Sequence, residues 1–329
     1  MSTLAALDFE LPKRNVRPAR TRLRAVLLGC GTVNSGVLEG LDSMPDAVEV
    51  SAIVTRRPRD IQAGRAAWLT DIRDAFDTGP DLVVDGLPDC AAAEKALTLA
   101  VERGIHVISA NKAVIARRPD LEARAHAKGT RFVYSAAVGG GVPVLETISR
   151  LISAGEEIGS VRGVLNGTSN FVLGLLETGT SFDEAIAAAQ AAGFAEADPA
   201  ADIDGLDAAA KLALIARKAF AIAPDAARIP AESLLALDPG QVCGARENGL
   251  RYRQVAELSR TADGIDARVR LLALPEDHPL AKVEGEENSV EIVCESGLKI
   301  VLHGKGAGRQ PTAGAVLADI RDLIAAGEV

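Results

Sequence analysis

Ahead of Gly141, short apolar runs take turns with helix-patterned segments, and this alternation narrows the fold of the chain most. The runs are RAVLLG (Arg24–Gly29), VEVSAIVT (Val48–Thr55), DLVVDGL (Asp81–Leu87), GIHVISA (Gly104–Ala110) and TRFVYSAAV (Thr130–Val138). Between them lie Ser35–Ser43, Ala91–Arg103 and Leu121–Lys128. Runs that are apolar throughout suit strands buried on both faces, and strands that alternate with helices connect as parallel βαβ units. A doubly wound parallel sheet is therefore expected over residues 21–144, after an N-terminal extension at 1–20.

Beyond Gly141 the pattern changes. GVPVLETISRLI and TSNFVLGLLE read as helices, with the strand-like Ile158–Asn166 between them. Ala185–Ala192 and Ala208–Ala221 are helical by alanine propensity. Ala267–Pro275, SVEIVCE and GLKIVLHG alternate apolar and polar residues, as antiparallel strands with one solvated face do. A second, mixed α+β domain is expected at 145–305. The helical pattern PTAGAVLADIRDLIAA, within 306–329, then returns to the first domain.

Composition excludes several function classes. The net charge of −9 over 329 residues supplies no broad basic field, so nucleic acid is not an expected partner. The basic stretch PKRNVRPARTRLR has no long apolar core beside it, so it reads as neither a signal peptide nor an anchor. No run of apolar residues is long enough to span a bilayer, so no membrane is expected either. Cys30, Cys90, Cys243 and Cys294 form no CxxC pair, which suits reduced thiols in a cytoplasm. His106, His126, His278 and His303 are scattered and make no zinc-binding spacing.

Two stretches carry chemistry. GCGTVNSG (Gly29–Gly36) follows the first strand and opens a helix. Glycines there allow a tight turn and let backbone N–H groups meet a pyrophosphate at the helix N-terminus. Gly29, Gly31, Thr32 and Val33 are the candidate contacts, although Asn34 stands where a third glycine is usual. The fold expected is thus Rossmann-type. The second strand ends in Thr55-Arg56-Arg57 rather than in a carboxylate. Guanidinium groups suit a 2′-phosphate, which favours NADP and leaves NAD possible. The second stretch, GFAEADPAADIDGLDAAAK (Gly193–Lys211), holds Glu196, Asp198, Asp202, Asp204 and Asp207. Asp207 and Lys211 stand at i and i+4, on one helix face. Spacing alone leaves two readings: an acidic capping loop with a surface ion pair, or carboxylates that hold a substrate ammonium beside a lysine that handles a proton.

Six segments in order resemble homoserine dehydrogenase: SANKAVIA (Ser109–Ala116), AAVGGGVPVLETI, GVLNGTSN (Gly163–Asn170), the acidic stretch, DHPLAKVEG (Asp277–Gly285) and GKGAGRQPTAGAV (Gly304–Val316). The resemblance implies NAD(P)-dependent interconversion of L-aspartate 4-semialdehyde and L-homoserine, in threonine and methionine biosynthesis, by a homodimer. It implies that Lys211 exchanges the proton and Asp207 orients it. Glu196 would hold the substrate ammonium, with the backbone of Gly167 and Thr168 and with Asp202 near the same end. Lys112 would reach the site beside the nicotinamide, with Ser109 and Asn111 on the same loop. Gly304, Gly306, Ala307 and Gly308 would close over that ring. The chain ends soon after PTAGAV, so feedback through a C-terminal ACT domain is not expected.

The sequence also departs from the family pattern. Asn34 replaces a glycine, DGLP at 85–88 replaces a different cofactor-facing segment, and Ser135 stands in place of a glutamate. In some members that glutamate helps order a monovalent cation on backbone carbonyls, here those of Val138 and Gly140. Its loss leaves that ion open. A relative acting on a similar amino aldehyde, or a silent dinucleotide-binding protein, is the alternative.

Replacing Arg56 and Arg57 together with Ala is expected to weaken NADP binding more than NAD binding, because only NADP carries the phosphate they would meet. Titration of both cofactors checks this, and equal losses would remove the arginines from cofactor selection.

Overall fold

The computed structural model describes residues 22–57, 66–88 and 90–327. The chain order of the first half is β1 (Leu23–Leu28), α1 (Thr32–Leu41), β2 (Val48–Val54), β3 (Ala67–Leu69), α2 (Ile72–Asp77), β4 (Leu82–Asp85), α3 (Cys90–Glu102), β5 (His106–Ser109), α4 (Lys112–Arg117), α5 (Asp120–Ala127) and β6 (Phe132–Val133). These strands form one parallel sheet in the order β3-β2-β1-β4-β5-β6. The order reverses between β1 and β4, the kind of switch point where open α/β sheets bind ligands. Both faces are covered. Val26, Leu28 and Val83 point into one core cluster, and Ala25, Leu27 and Val84 into another.

The second half runs α6 (Val144–Ser153), β7 (Ile158–Val164), α7 (Gly167–Leu176), α8 (Phe182–Ala191), α9 (Ala200–Ile203), α10 (Leu206–Phe220), α11 (Pro239–Glu247), β8 (Leu250–Thr261), β9 (Gly264–Pro275), β10 (Glu287–Cys294), β11 (Lys299–Lys305) and α12 (Arg309–Ala325). Its sheet is antiparallel, in the order β11-β10-β7-β8-β9. Leu212, Ile215 and Ala216 of α10 share a core with Ile148 of α6 and with Val161 and Ile292 of the sheet.

Three differences from the sequence reading have physical causes. α1 starts at Thr32, not Ser35, because extended Gly31 already caps it. TRFVYSAAV is a strand only at Phe132–Val133; Ser135–Ala137 then turn as a 3₁₀ helix, buried at the junction. The twelve-residue β8 is hidden in the sequence by Arg253 and Gln254, which are polar yet buried. Glu177 and the carbonyls of Ala281 and Val283 take the two terminal guanidinium nitrogens of Arg253, while its buried Nε has no partner.

Helix α12 lies on α1. A Cβ on Gly36 would stand 2.9 Å from Ala313 Cβ, and one on Gly40 would overlap Leu317. These two small residues, one turn apart, let the helices approach closely. On another face of α12, Asp319 is 3% exposed, and its Oδ2 has no hydrogen-bond partner. Ser135 bonds its carboxylate, and Glu146 of α6 lies nearby. Burial pushes Asp319 up from 3.8 to about 7, and burial also raises Glu146. The folded state therefore holds a proton that the unfolded chain releases, so Asp319 makes stability fall as pH rises from 3.8 to about 7. Asp319→Asn is expected to flatten that slope and raise the melting temperature above neutral pH, in thermal melts across the window. A variant with the wild-type slope would overturn the assignment.

Candidate functional site

The end of β7 and the start of α10 meet at a buried charge cluster. Gly205, with φ +74°, turns the chain into α10 and places Asp207 in its first turn. Lys211, one turn later, is buried, its side chain 10% exposed. Its Nζ lies 2.8 Å from Asp207 Oδ2 and donates to the Leu165 carbonyl at 2.5 Å. The other Asp207 oxygen takes the ammonium of Lys112, the first residue of α4. Asn166 joins the group: its Nδ2 donates to Asp207 Oδ2 at 2.9 Å and to Asp202 Oδ1 at 2.6 Å. Its Oδ1 caps α7 by accepting from Ser169 N. The pair at 207 and 211 is thus no surface ion pair.

The electrostatics follow from burial. Desolvation would raise Asp207, but the ammonium groups of Lys211 and Lys112 more than offset it and hold the carboxylate well below its usual range. For Lys211 desolvation wins, and the pKa is lowered despite Asp207. The result is a buried ammonium, oriented by a permanent carboxylate, that gives up its proton more easily than a free lysine. Such a group suits proton exchange with a reacting oxygen.

The other substrate-side candidates are placed less directly. Thr168 Oγ1 donates to Phe194 O at 2.7 Å, and the Phe171 and Phe194 rings pack tilted at 54° with centroids 4.9 Å apart. These contacts tie α7 to the loop carrying Glu196. Glu196 itself is exposed, and the structure does not bring its carboxylate into the cluster. A Cβ on Gly167 would stand 3.0 Å from Glu286 Cα. Asp198 caps Ala200 N, and Asp204 accepts from Ser233 Oγ.

On the cofactor side, Gly29 has φ +80°, and a Cβ there would stand 2.9 Å from Gly86 O. A Cβ on Gly31 would meet nothing within 4 Å, so its backbone borders open space at the start of α1. The N–H groups of Thr32 and Val33 belong to that first turn, so the turn can receive a pyrophosphate. Asn34 is buried, and its Nδ2 donates to Leu28 O, Gly29 O and Val84 O at 3.0, 2.9 and 3.4 Å. It bridges β1 to β4 at the switch point rather than facing a phosphate.

Arg56 and Arg57 are exposed just past β2. Ser109 is fully buried and donates to Asp85 Oδ2 at 2.8 Å, so its hydroxyl faces Asp85 and not a ligand. Asn111 caps α4 and donates to Leu87 O. Gly140, with φ +55°, packs so tightly that a Cβ would stand 2.5 Å from Gly306 O, and Gly308 caps α12 beyond Ala307. Val138 is buried beside that turn. Among the described residues no cluster of three or more His, Cys, Asp or Glu side chains is arranged to hold a metal.

Sequence reasoning missed Asn166, Asn288 and the Leu165 carbonyl. The only local signal for Asn166 was its position between a strand and GTSN, where an N-cap belongs.

A family model described as homoserine dehydrogenase matches residues 143–321, and one described as the homoserine dehydrogenase NAD binding domain matches residues 29–135. The homoserine dehydrogenase of Synechocystis sp. is 34% identical over 315 residues, which cover 91% of this chain and 72% of that protein. That of Pseudomonas aeruginosa is 35% identical over 312 residues, with the same coverage. A crystal structure of a homoserine dehydrogenase from Thiobacillus denitrificans superposes with a TM-score of 0.85 at 32% identity, covering 93% of this chain and 75% of that one.

The three amide contacts give Asn34 a bridging task at the switch point that a glycine could not perform. Asn34→Gly is expected to destabilise the protein by on the order of 1–3 kcal/mol, because the carbonyls of Leu28, Gly29 and Val84 lose a shared buried donor, although Leu28 O keeps its bond from Gly86 N. It should not tighten dinucleotide binding. Denaturant melts and cofactor titration check both, and unchanged stability with tighter binding would overturn the bridging role.

Proposed function

The chain belongs to the homoserine dehydrogenase family, and on that premise we propose how its residues divide the work. It is an oxidoreductase acting on a CH–OH group, interconverting L-homoserine and L-aspartate 4-semialdehyde with a nicotinamide dinucleotide. When bound, the cofactor supplies or accepts the hydride at the substrate carbon. Reduction of the aldehyde leaves an oxygen that needs a proton, and Lys211 gives it; in the oxidation direction neutral Lys211 takes it back. The observation that carries this reading is the buried Lys211 ammonium, held between Asp207 and the Leu165 carbonyl. Asp207 fixes its position. Lys112, tied to the same carboxylate but 37% exposed, stands on the cofactor side and offsets the substrate carboxylate. Glu196, with Asp202 and the backbone of Gly167 and Thr168, takes the substrate ammonium, which requires the 193–199 loop to bring Glu196 inward.

On the cofactor side, Gly29, Gly31, Thr32 and Val33 receive the pyrophosphate, and Arg56 and Arg57 select NADP. Gly306, Ala307 and Gly308 cover the nicotinamide, while Asn111 shapes the loop opposite and Ser109 supports it through Asp85. The backbone carbonyls of Val138 and Gly140 remain the place for a monovalent cation. A homodimer is supported by the apolar side chains that β11 and the turn before it leave open, Val301 and Leu298, each 43% exposed. A cytoplasmic location fits four free thiols, and no described helix is long and apolar enough to cross a membrane.

Lys211→Ala is expected to lower kcat roughly 10²–10⁴-fold with cofactor binding intact, since a positioned proton-transfer group contributes about that much. Glu196→Ala should mainly raise KM for homoserine. Steady-state homoserine oxidation, followed by reduced-nicotinamide absorbance, reads both. Near-normal turnover in Lys211→Ala with loss in Lys112→Ala would move the proton role to Lys112.

A further inference from the structure

Asn288 is completely buried on β10, a position where an apolar residue would fit the strand pattern. Its Oδ1 has no hydrogen-bond partner, which is a standing cost for the fold. Its Nδ2, in contrast, donates to Leu165 O at 3.2 Å. That carbonyl also accepts from Lys211 Nζ at 2.5 Å. One oxygen, just past the last paired residue of β7, therefore serves two donors. On its other side the amide is pressed against Gly306: a Cβ built there would overlap Asn288 Nδ2, Cγ and Oδ1 alike. Gly306 in turn touches Gly140, at the junction of the two domains.

We infer that Asn288 is a positioning residue for Lys211: it shares the Leu165 carbonyl with the lysine and transmits to it the position of the Gly306 backbone. The inference rests on the proton role of Lys211 proposed above. A carbonyl that accepts two hydrogen bonds is a poorer acceptor for each. Asn288 thus holds back the bond that favours the charged lysine, and it does so only while Gly306 keeps the amide in place. The charged groups facing Lys211 are Asp207 on α10, Lys112 on α4 and Asp202 on α9. Near Asn288, Glu286 pairs with Lys305 and Glu287 with His303, so these four side chains satisfy one another on the strand edge.

The test is the pH profile of kcat in both directions for the wild type, Asn288→Leu, Gly306→Ala and Lys211→Ala. Asn288→Leu removes the competing donor, so the lysine's bond to Leu165 strengthens and its charged form is favoured. The limb set by Lys211 should move to higher pH by up to about half a unit, a fraction of one net hydrogen bond, because an existing bond is strengthened and none is gained. Aldehyde reduction then persists to higher pH, and homoserine oxidation begins at higher pH. Gly306→Ala, which displaces the same amide from outside, should shift the limb in the same direction. A purely structural role would lower the melting temperature or scale kcat at every pH without moving the limb. If the limb disappears in Lys211→Ala but stays at its wild-type position in both other variants, the role of Asn288 is overturned. If it survives in Lys211→Ala, the proton role itself is wrong.

Discussion

A buried lysine ammonium is the constraint around which the second domain is arranged. Moving such a charge out of water is costly unless other groups replace its hydration. Here the replacements come from separate parts of the chain: Asp207 one helical turn earlier, and the Leu165 carbonyl at the end of β7. Each must be delivered to the same point. The apolar face of α10, with Leu212, Ile215 and Ala216, docks the helix on the sheet and sets the height of Lys211 above it. Asn166 then links the end of β7, the cap of α7 and the carboxylates of Asp202 and Asp207 with a single amide. A shift in any of these elements would leave a charge or a donor unpaired in the interior.

The same arrangement balances charge. Asp202 and Asp207 face Lys112 and Lys211, two carboxylates against two ammonium groups. A homoserine molecule, with its own ammonium and carboxylate, adds no net charge to such a site. In the proposed bound state Glu196 adds one carboxylate to this balanced set, locally paired with the substrate ammonium. This is consistent with a tether for Lys112 that reaches the carboxylate while leaving the lysine partly exposed, and with a loop that carries Glu196 from outside the cluster.

Much of this was legible in the sequence, for reasons that also mark the limit. The parallel sheet was readable because Val26 to Leu28 and Leu82 to Val84 are apolar on both faces, which only a covered strand tolerates. Asp207 and Lys211 were readable as neighbours because helix geometry pairs i with i+4, but only the resemblance to homoserine dehydrogenase separated a site from a capping loop. Asn288 and Leu165, however, are 123 residues apart, and the atom they share with Lys211 is a backbone oxygen, which leaves no trace in residue identity. β8 was hidden because Arg253 is buried through partners supplied by Glu177 and by the 281–283 backbone, a tertiary solution that local polarity contradicts. Asn34 read as a departure from a glycine pattern because the pattern has no place for three carbonyls, one each from β1, β4 and the turn after β1, that converge on one amide.

Away from the Lys112–Asp207 and Arg217–Glu122 pairs, the junction between the domains at Gly140 and Gly306 has the opposite character: it is built from the absence of side chains. Gly140 takes a left-handed conformation and lies against the Gly306 carbonyl, Gly141 N donates to Lys305 O, and Gly306 lies against the Asn288 amide. Backbone packed on backbone has no rotamers with which to absorb a displacement. The turn on the first domain and the segment leading into α12 therefore move together or not at all. Because α12 is seated in the groove of Gly36 and Gly40 on α1, the glycine turn at the start of α1, proposed to receive the pyrophosphate, belongs to the same unit. A chain of contacts runs from Gly31 through α1, α12, Gly306 and Asn288 to Leu165 and Lys211, and so joins the turn proposed for the pyrophosphate to the proposed proton donor. Every link but α1 to α12 passes through a main-chain atom or a buried amide.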